Sequence, residues 1–192
     1  EALACPPENT ILITYEPSSI KIYSDDYTRQ YGYVLTSQEA EHLPHPGRVD
    51  CPPVGYWYYG DETDLIDATS PPIKTDDVSI FLSTKADGHT MHRLRHEFSR
   101  GLTDHFGDKM ERFGKAYNFV EKKSEGLDRF RYTVALENHI GDHHWTEKLS
   151  AAFLGFTLPF YAGSPNAADY FPEDSFVSLN MYDLSGSIEI VE

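Results

Sequence analysis

The segment Arg131 to Phe153, RYTVALENHIGDHHWTEKLSAAF, runs from an apolar stretch through a polar loop into an amphipathic one. Arg131 to Asn138 is rich in β-branched and aromatic residues, which predicts a strand. Thr146 to Phe156 brings Leu149, Ala152, Phe153 and Phe156 onto one helical face, with Thr146 placed to cap the helix start. Strand, loop and helix in this order are the unit of a parallel α/β sheet, in which ligands bind beyond the carboxyl ends of the strands.

Three readings of the loop stand open. As a metal site it offers Glu137, His139, Asp142, His143 and His144, but adjacent histidines rarely converge on one ion and no His-x3-His pairing on a helix is apparent within this loop. As a pair of catalytic carboxylates, Glu137 and Glu147 would need a defined separation that spacing alone does not fix. As an anion site it has Lys148 in the first helical turn. There the helix dipole opposes a cation by about 0.3–1 kcal/mol, and a bound anion reverses that effect. An ordinary solvated lysine is the simpler alternative.

The same grammar extends outward. Asp77 to Lys85 predicts a strand leading into the polar Ser83-Thr84-Lys85 and Gly88. Met91, Leu94, Phe98 and Leu102 then recur at helical spacing. Arg93 and Arg100 fall away from that stripe, whereas Arg95 lies on its border, where a guanidinium either reaches the cleft or forms a boundary salt bridge. Thr157 to Gly163 and Ser175 to Leu179 predict the last strands. Upstream, Thr10 to Glu16 and Tyr31 to Ser37 read as strands flanking a short helix over Asp25 to Gln30. Glu41 to Pro53 is rich in Pro, His and Gly and reads as loop. Tyr56-Trp57-Tyr58-Tyr59 reads as an aromatic plug between lobes in preference to a sugar platform, while Phe153, Phe156, Phe160 and Tyr161 read as core. The acidic segment that follows the plug is the expected boundary between residues 1–70, a first lobe, and residues 71–192, a Rossmann-like domain.

The totals exclude several classes. The 192 residues are 40% hydrophobic and 14% aromatic, which describes a packed globular protein and not a disordered tail. A formal charge of −15, from 16 Lys+Arg against 31 Asp+Glu, argues against a nucleic-acid partner and makes any local gathering of cations informative. Cys5 and Cys51 are two thiols or one bridge, not a disulfide framework. No apolar run is long enough for a transmembrane segment and no signal peptide is visible, so a soluble, cytoplasmic protein is expected.

Several motifs resemble the donor-binding signature of the family 10 glycosyltransferases, the α-1,3/4-fucosyltransferases. They are Glu137-Asn138 closing a strand, Thr146-Glu147-Lys148 opening a helix, Pro159 to Pro165 with Tyr161 and Gly163, and Tyr170 to Phe176. The likeness continues upstream through FGKAYN, FLSTK and Arg95-His96-Glu97-Phe98, and more faintly into ENTILITYEPSSIKIY. His144 and Trp145 stand where Tyr and Val are usual. The resemblance implies a GT-B-like, two-lobed Rossmann-type architecture with a short or truncated N-terminal acceptor lobe. It also implies an inverting, metal-independent enzyme that has no cofactor and moves fucose from GDP-fucose to a glycan acceptor. By the same resemblance Arg95 and Lys148 would hold the diphosphate. Glu137, Asn138, Thr146 and Glu147 would complete the donor site, Ser83 and Lys85 would form a donor loop, and Glu16 would be the general base. The location implied is the cytoplasm, with peripheral membrane attachment, or the Golgi lumen for a eukaryotic member. The rival reading is a nucleotide-sugar or glycan binding module without catalysis.

Overall fold

The structure, a computed structural model, describes residues 3–53, 57, 59–60, 70–85 and 91–192. Two all-parallel sheets arise from separate stretches of chain. The first contains β1 (Ile11–Ile13), β2 (Tyr33–Thr36) and β3 (Arg48–Asp50), side by side in that order, with α1 (Asp25–Thr28) between β1 and β2. Side chains alternate across a strand. Leu12 and Val34 therefore pack inward with Leu43, and the Thr14 hydroxyl donates to Thr36 Oγ1 at 2.7 Å on the same face. Ile11, Ile13, Tyr33 and Val49 stay exposed on the other face.

The second sheet contains β4 (Asp76–Phe81), β5 (Met110–Phe113), β6 (Phe130–Leu136), β7 (Leu158–Ala162) and β8 (Val177–Ser178) in the spatial order β5-β4-β6-β7-β8. Both faces are covered, as a parallel sheet requires. Val78, Ile80, Val134 and Leu136 meet Phe98 and Leu102 of α2 (His92–Phe106) on one side. Ala135 and Tyr161 meet Leu149 of α3 (Glu147–Leu154) on the other. Burying Phe98 and Leu102 contributes about 1.5–3 kcal/mol each, and a final helix, α4 (Leu184–Val191), packs against the α2 side. The chain leaves β4 toward β5 but leaves β6 toward β7 on the opposite side. The order reverses between β4 and β6, and a crevice opens at their carboxyl ends.

Several expectations are corrected. The strand expected over residues 10–16 stops at Ile13, and Glu16 lies in the turn that follows, its carbonyl accepting from Gln38 Nε2 at 2.8 Å. The predicted loop 41–53 contains β3, and β5 and α4 lie where no element was predicted. Phe156 is 47% exposed and sits at φ 52°, just past the end of α3, so it is not a core residue. Of the expected aromatic plug, Tyr59 is buried and hydrogen-bonds Asp128, whereas Trp57 packs on Trp145 and Phe171, both at 6.3 Å, but remains 45% exposed. Tyr56, Tyr58 and Gly88, and most of the acidic segment around residue 70, lie outside the described residues.

Candidate functional site

The loop after β6 turns at His143, whose φ of 64° is the left-handed region, and enters α3 at Thr146. Thr146 is the N-cap, and its Oγ1 accepts from Lys148 N at 3.4 Å. Beneath it, Glu137 is wholly buried and accepts from Thr146 N at 2.8 Å, from Thr146 Oγ1 and from Lys148 Nζ at 3.1 Å. Lys148 also meets Glu147 at 3.4 Å. A lysine at a helix start is tolerated here because two carboxylates hold it. Burial acts to lower the ammonium's pKa, but Glu137 and Glu147 outweigh burial and raise it. Glu137 therefore works one layer below the site, and it lines neither of the cavities described next. Gly163 makes room for it, since a Cβ there would lie 2.5 Å from Glu137 Cγ and collide with the Tyr161 hydroxyl.

A cavity of about 530 Å³ occupies the crevice between β4 and β6. Ser83, Thr84 and Lys85 line it after β4, Gly114 and Lys115 after β5, and Asn138, Glu147 and Lys148 after β6. Arg95 and His92 reach it from α2, and Lys123 from a 3₁₀ turn (Lys123–Gly126) that precedes β6. Gly114 is required by the chain path. Its φ is 133°, and a Cβ would run into the Leu82 carbonyl.

Among the described residues, five lysines and arginines line this cavity, against one carboxylate, Glu147. In a chain of charge −15 such a gathering needs a cause. Arg95 shows it most sharply: the residue is 4% exposed, Nε has no hydrogen-bond partner, and no carboxylate among the described residues lies within ion-pair distance. Burial draws its pKa down, with Glu137 and Glu147 opposing. A buried guanidinium without an ion pair is strongly unfavourable alone, and an anion in the cavity would satisfy it. Lys123 donates to the Glu147 carbonyl at 3.3 Å, and burial lowers its pKa too.

A smaller cavity, about 250 Å³, adjoins the first and shares Asn138, Glu147 and Lys148 with it. Its own walls are Tyr15, Glu16, Pro17, Pro53, His144 and Thr146. Glu16 thus comes from the first sheet's side and faces the helix start. A further cavity of about 400 Å³, among Asp77, His105, Lys109 and Glu192, lies by the amino end of β4, and there His105 and Glu192 pair at 2.9 Å. It lacks the unpaired buried cation that distinguishes the crevice.

The histidines are engaged separately. His139 pairs with Glu39 at 3.1 Å, His143 bonds Tyr170 at 2.5 Å, and His144 Nδ1 shares a 3.0 Å hydrogen bond with Ser37 Oγ. Among the described residues no group of three or more His, Cys, Asp or Glu is arranged to hold a metal ion. Glu137 is enclosed by Thr146 and Lys148, so it does not face a common space with Glu147 as a glycosidase pair would. Of the expected residues, Arg95, Asn138, Glu147, Lys148, Ser83 and Lys85 share the large cavity, Thr146 and Glu16 line the small one, and Glu137 supports both from below. Lys115, Lys123, His92 and Tyr15 were not anticipated. Lys115 stands inside the FGKAYN motif and Tyr15 inside ENTILITYEPSSIKIY, while Lys123 and His92 carry no local signal. No described helix is long and apolar enough to cross a membrane.

No family model matches the chain. A segment of 76 residues, 40% of the chain, is 36% identical to Alpha-(1,3)-fucosyltransferase FucT of Helicobacter pylori and covers 15% of that protein. The fold matches the crystal structure of alpha1,3-fucosyltransferase with GDP at TM-score 0.66 and 18% identity, over 97% of this chain and 62% of that one. It matches alpha1,3-fucosyltransferase with GDP-fucose at TM-score 0.63 and 18% identity, over 94% and 61%. The chain thus spans about three-fifths of the length of these solved relatives. Its α/β architecture of parallel sheets is theirs, and the sequence likeness to the Helicobacter pylori protein is confined to the 76-residue segment.

Proposed function

We propose that the chain binds GDP-fucose and carries out inverting, metal-independent transfer of fucose to a hydroxyl of an N-acetylglucosamine-containing or related glycan. The observation that carries this reading is the unpaired, buried Arg95 sharing one cavity with Lys148 and Lys123, next to a chamber holding Glu16. The fucosyltransferase relatives, two of them named with GDP and GDP-fucose, supply the nucleotide and the sugar.

In the proposed reaction an acceptor hydroxyl oxygen attacks the anomeric carbon as the bond from that carbon to the phosphate oxygen breaks. GDP leaves with the electron pair, and the hydroxyl proton passes to the Glu16 carboxylate. Charge grows on the departing diphosphate, where Arg95, Lys123 and Lys148 already stand, so stabilisation needs little reorganisation. Glu137 acts as a positioning residue that holds Lys148 and the helix start. Lys85 and Lys115, both exposed, close the cavity's outer side.

Calorimetry with GDP, GDP-fucose and UDP tests the reading. GDP and GDP-fucose are expected to bind with an affinity that falls as salt rises, and UDP more weakly. Arg95→Met and Lys148→Met each remove a charge-assisted contact and are expected to weaken GDP by about tenfold or more. Unchanged GDP affinity in both variants would contradict the proposal.

A further inference from the structure

His144 is 1% exposed, and it is among the residues that line the small chamber with Glu16. Nδ1 is taken by Ser37 Oγ at 3.0 Å, whereas Nε2 is buried and has no partner in the protein. An unpaired buried polar atom costs about 1–3 kcal/mol, so its persistence calls for a physical reason.

The chemistry of the ring narrows the partner. Burial, set against the Glu137 and Glu39 carboxylates and reinforced by His139 and Lys148, holds the imidazole pKa at about 4, so the ring is neutral near pH 7. One nitrogen of a neutral imidazole donates and the other accepts, and the Ser37 hydroxyl can satisfy Nδ1 in either tautomer. Nε2 is then left with the complementary function. A phosphate oxygen at neutral pH chiefly accepts, and a neutral ring offers it no charge. A sugar hydroxyl both donates and accepts, so it fits either tautomer. The walls agree, because Tyr15 is 56% exposed with its ring free to stack and Pro17 and Pro53 add apolar surface suited to a pyranose face.

We propose that His144 Nε2 hydrogen-bonds a hydroxyl of the sugar ring held in the small chamber, which makes His144 a specificity-determining residue of the transfer reaction. This rests on the nucleotide-sugar reading above. The sugar is either the fucose of the donor or the acceptor glycan, two sources of one chemistry.

The test uses the full chain and three constants: GDP affinity, GDP-fucose affinity and the KM of an N-acetylglucosamine-containing acceptor. His144→Phe keeps a ring and removes Nε2, and His144→Gln returns a polar amide to its place. GDP affinity is expected to stay within about twofold while one sugar-dependent constant weakens by about tenfold in His144→Phe and largely recovers in His144→Gln. Weakened GDP-fucose binding identifies the donor sugar, and a raised acceptor KM alone identifies the acceptor. Loss of GDP and GDP-fucose affinity in step, no change in any constant, or equal behaviour of Phe and Gln would each overturn the inference. Tyr15→Ala, at an exposed wall, probes the chamber without burdening folding: the same sugar-dependent constant should weaken, and an equal loss for GDP would overturn the inference. An unaltered protein that binds no GDP would defeat the nucleotide-sugar reading itself, and that result precedes any substitution.

Discussion

Glu137→Gln is the perturbation with the largest expected effect on stability for the smallest change in shape. Glu137 has no exposed side-chain surface, and its partner Lys148 retains 20%. The glutamine can still accept from Thr146 N, but its amide nitrogen cannot accept from Thr146 Oγ1 or from Lys148 Nζ. Breaking a fully buried pair from one side costs about 3–5 kcal/mol. Here Lys148 keeps Glu147 at 3.4 Å and can turn toward the cavity, which brings the expected loss to about 2–3 kcal/mol. For a chain of this size that is a fall in Tm of about 4–12 °C.

Urea denaturation at pH 7 measures the loss directly, and an alkaline series tests its origin. The folded pKa of Lys148 is raised above its ordinary 10.5. Its contribution is therefore complete below that value and is lost as pH climbs through the folded pKa. The parent should weaken in that window, and Glu137→Gln should weaken less. A loss at pH 7 below about 0.5 kcal/mol, the worth of an exposed pair, would refute the account of Glu137 as the buried anchor of the helix start.

Gly163→Ala is expected to cost about 1–3 kcal/mol in a denaturation midpoint, because the new methyl meets Tyr161 and Glu137, both buried. Glu16→Gln should leave GDP affinity unchanged in calorimetry and abolish transfer in a product assay; retained turnover would clear Glu16 of the base role. On the acid side two steps are expected. His144, held at about 4, contributes about 3 kcal/mol that is present above pH 6.5 and is lost as pH falls through 4. Glu39, depressed to about 2 by its hydrogen bonds and by His139 against the opposing effect of burial, adds stability present above pH 4.5 and lost as pH falls through 2. Stability measured from pH 7 to pH 2 should lose the first step in His144→Gln and the second in Glu39→Gln.

The parts of the fold legible in sequence are those where local chemistry and burial agree. β4 and β6 are apolar because helices cover both faces, and α3 announces itself through Thr146 and the Leu149 face. β3 hides in a Pro- and His-rich stretch because three residues, Arg48 to Asp50, suffice for an edge strand. β5, Met110-Glu111-Arg112-Phe113, is likewise an edge strand and carries two charges. At the site, Lys148 and Arg95 could be singled out from a helix start and a helix border. What spacing could not convey was that Glu137 neutralises Lys148 from below. Lys123 reaches the crevice from a turn ahead of β6, a path that no periodicity marks. His144 meets Ser37 across 107 positions of chain, which only the folded arrangement of the two sheets brings about.

Among the described residues, the two adjoining cavities overlap in Asn138, Glu147 and Lys148 alone. That narrow overlap makes the molecule modular for engineering. A library randomised at positions 15, 17 and 53 would reshape only the compartment next to Glu16 and leave the five cations in place. The same diversity spent on positions 138, 147 and 148 would alter both compartments at once, so a screen for change in the proposed glycan preference should leave those three fixed.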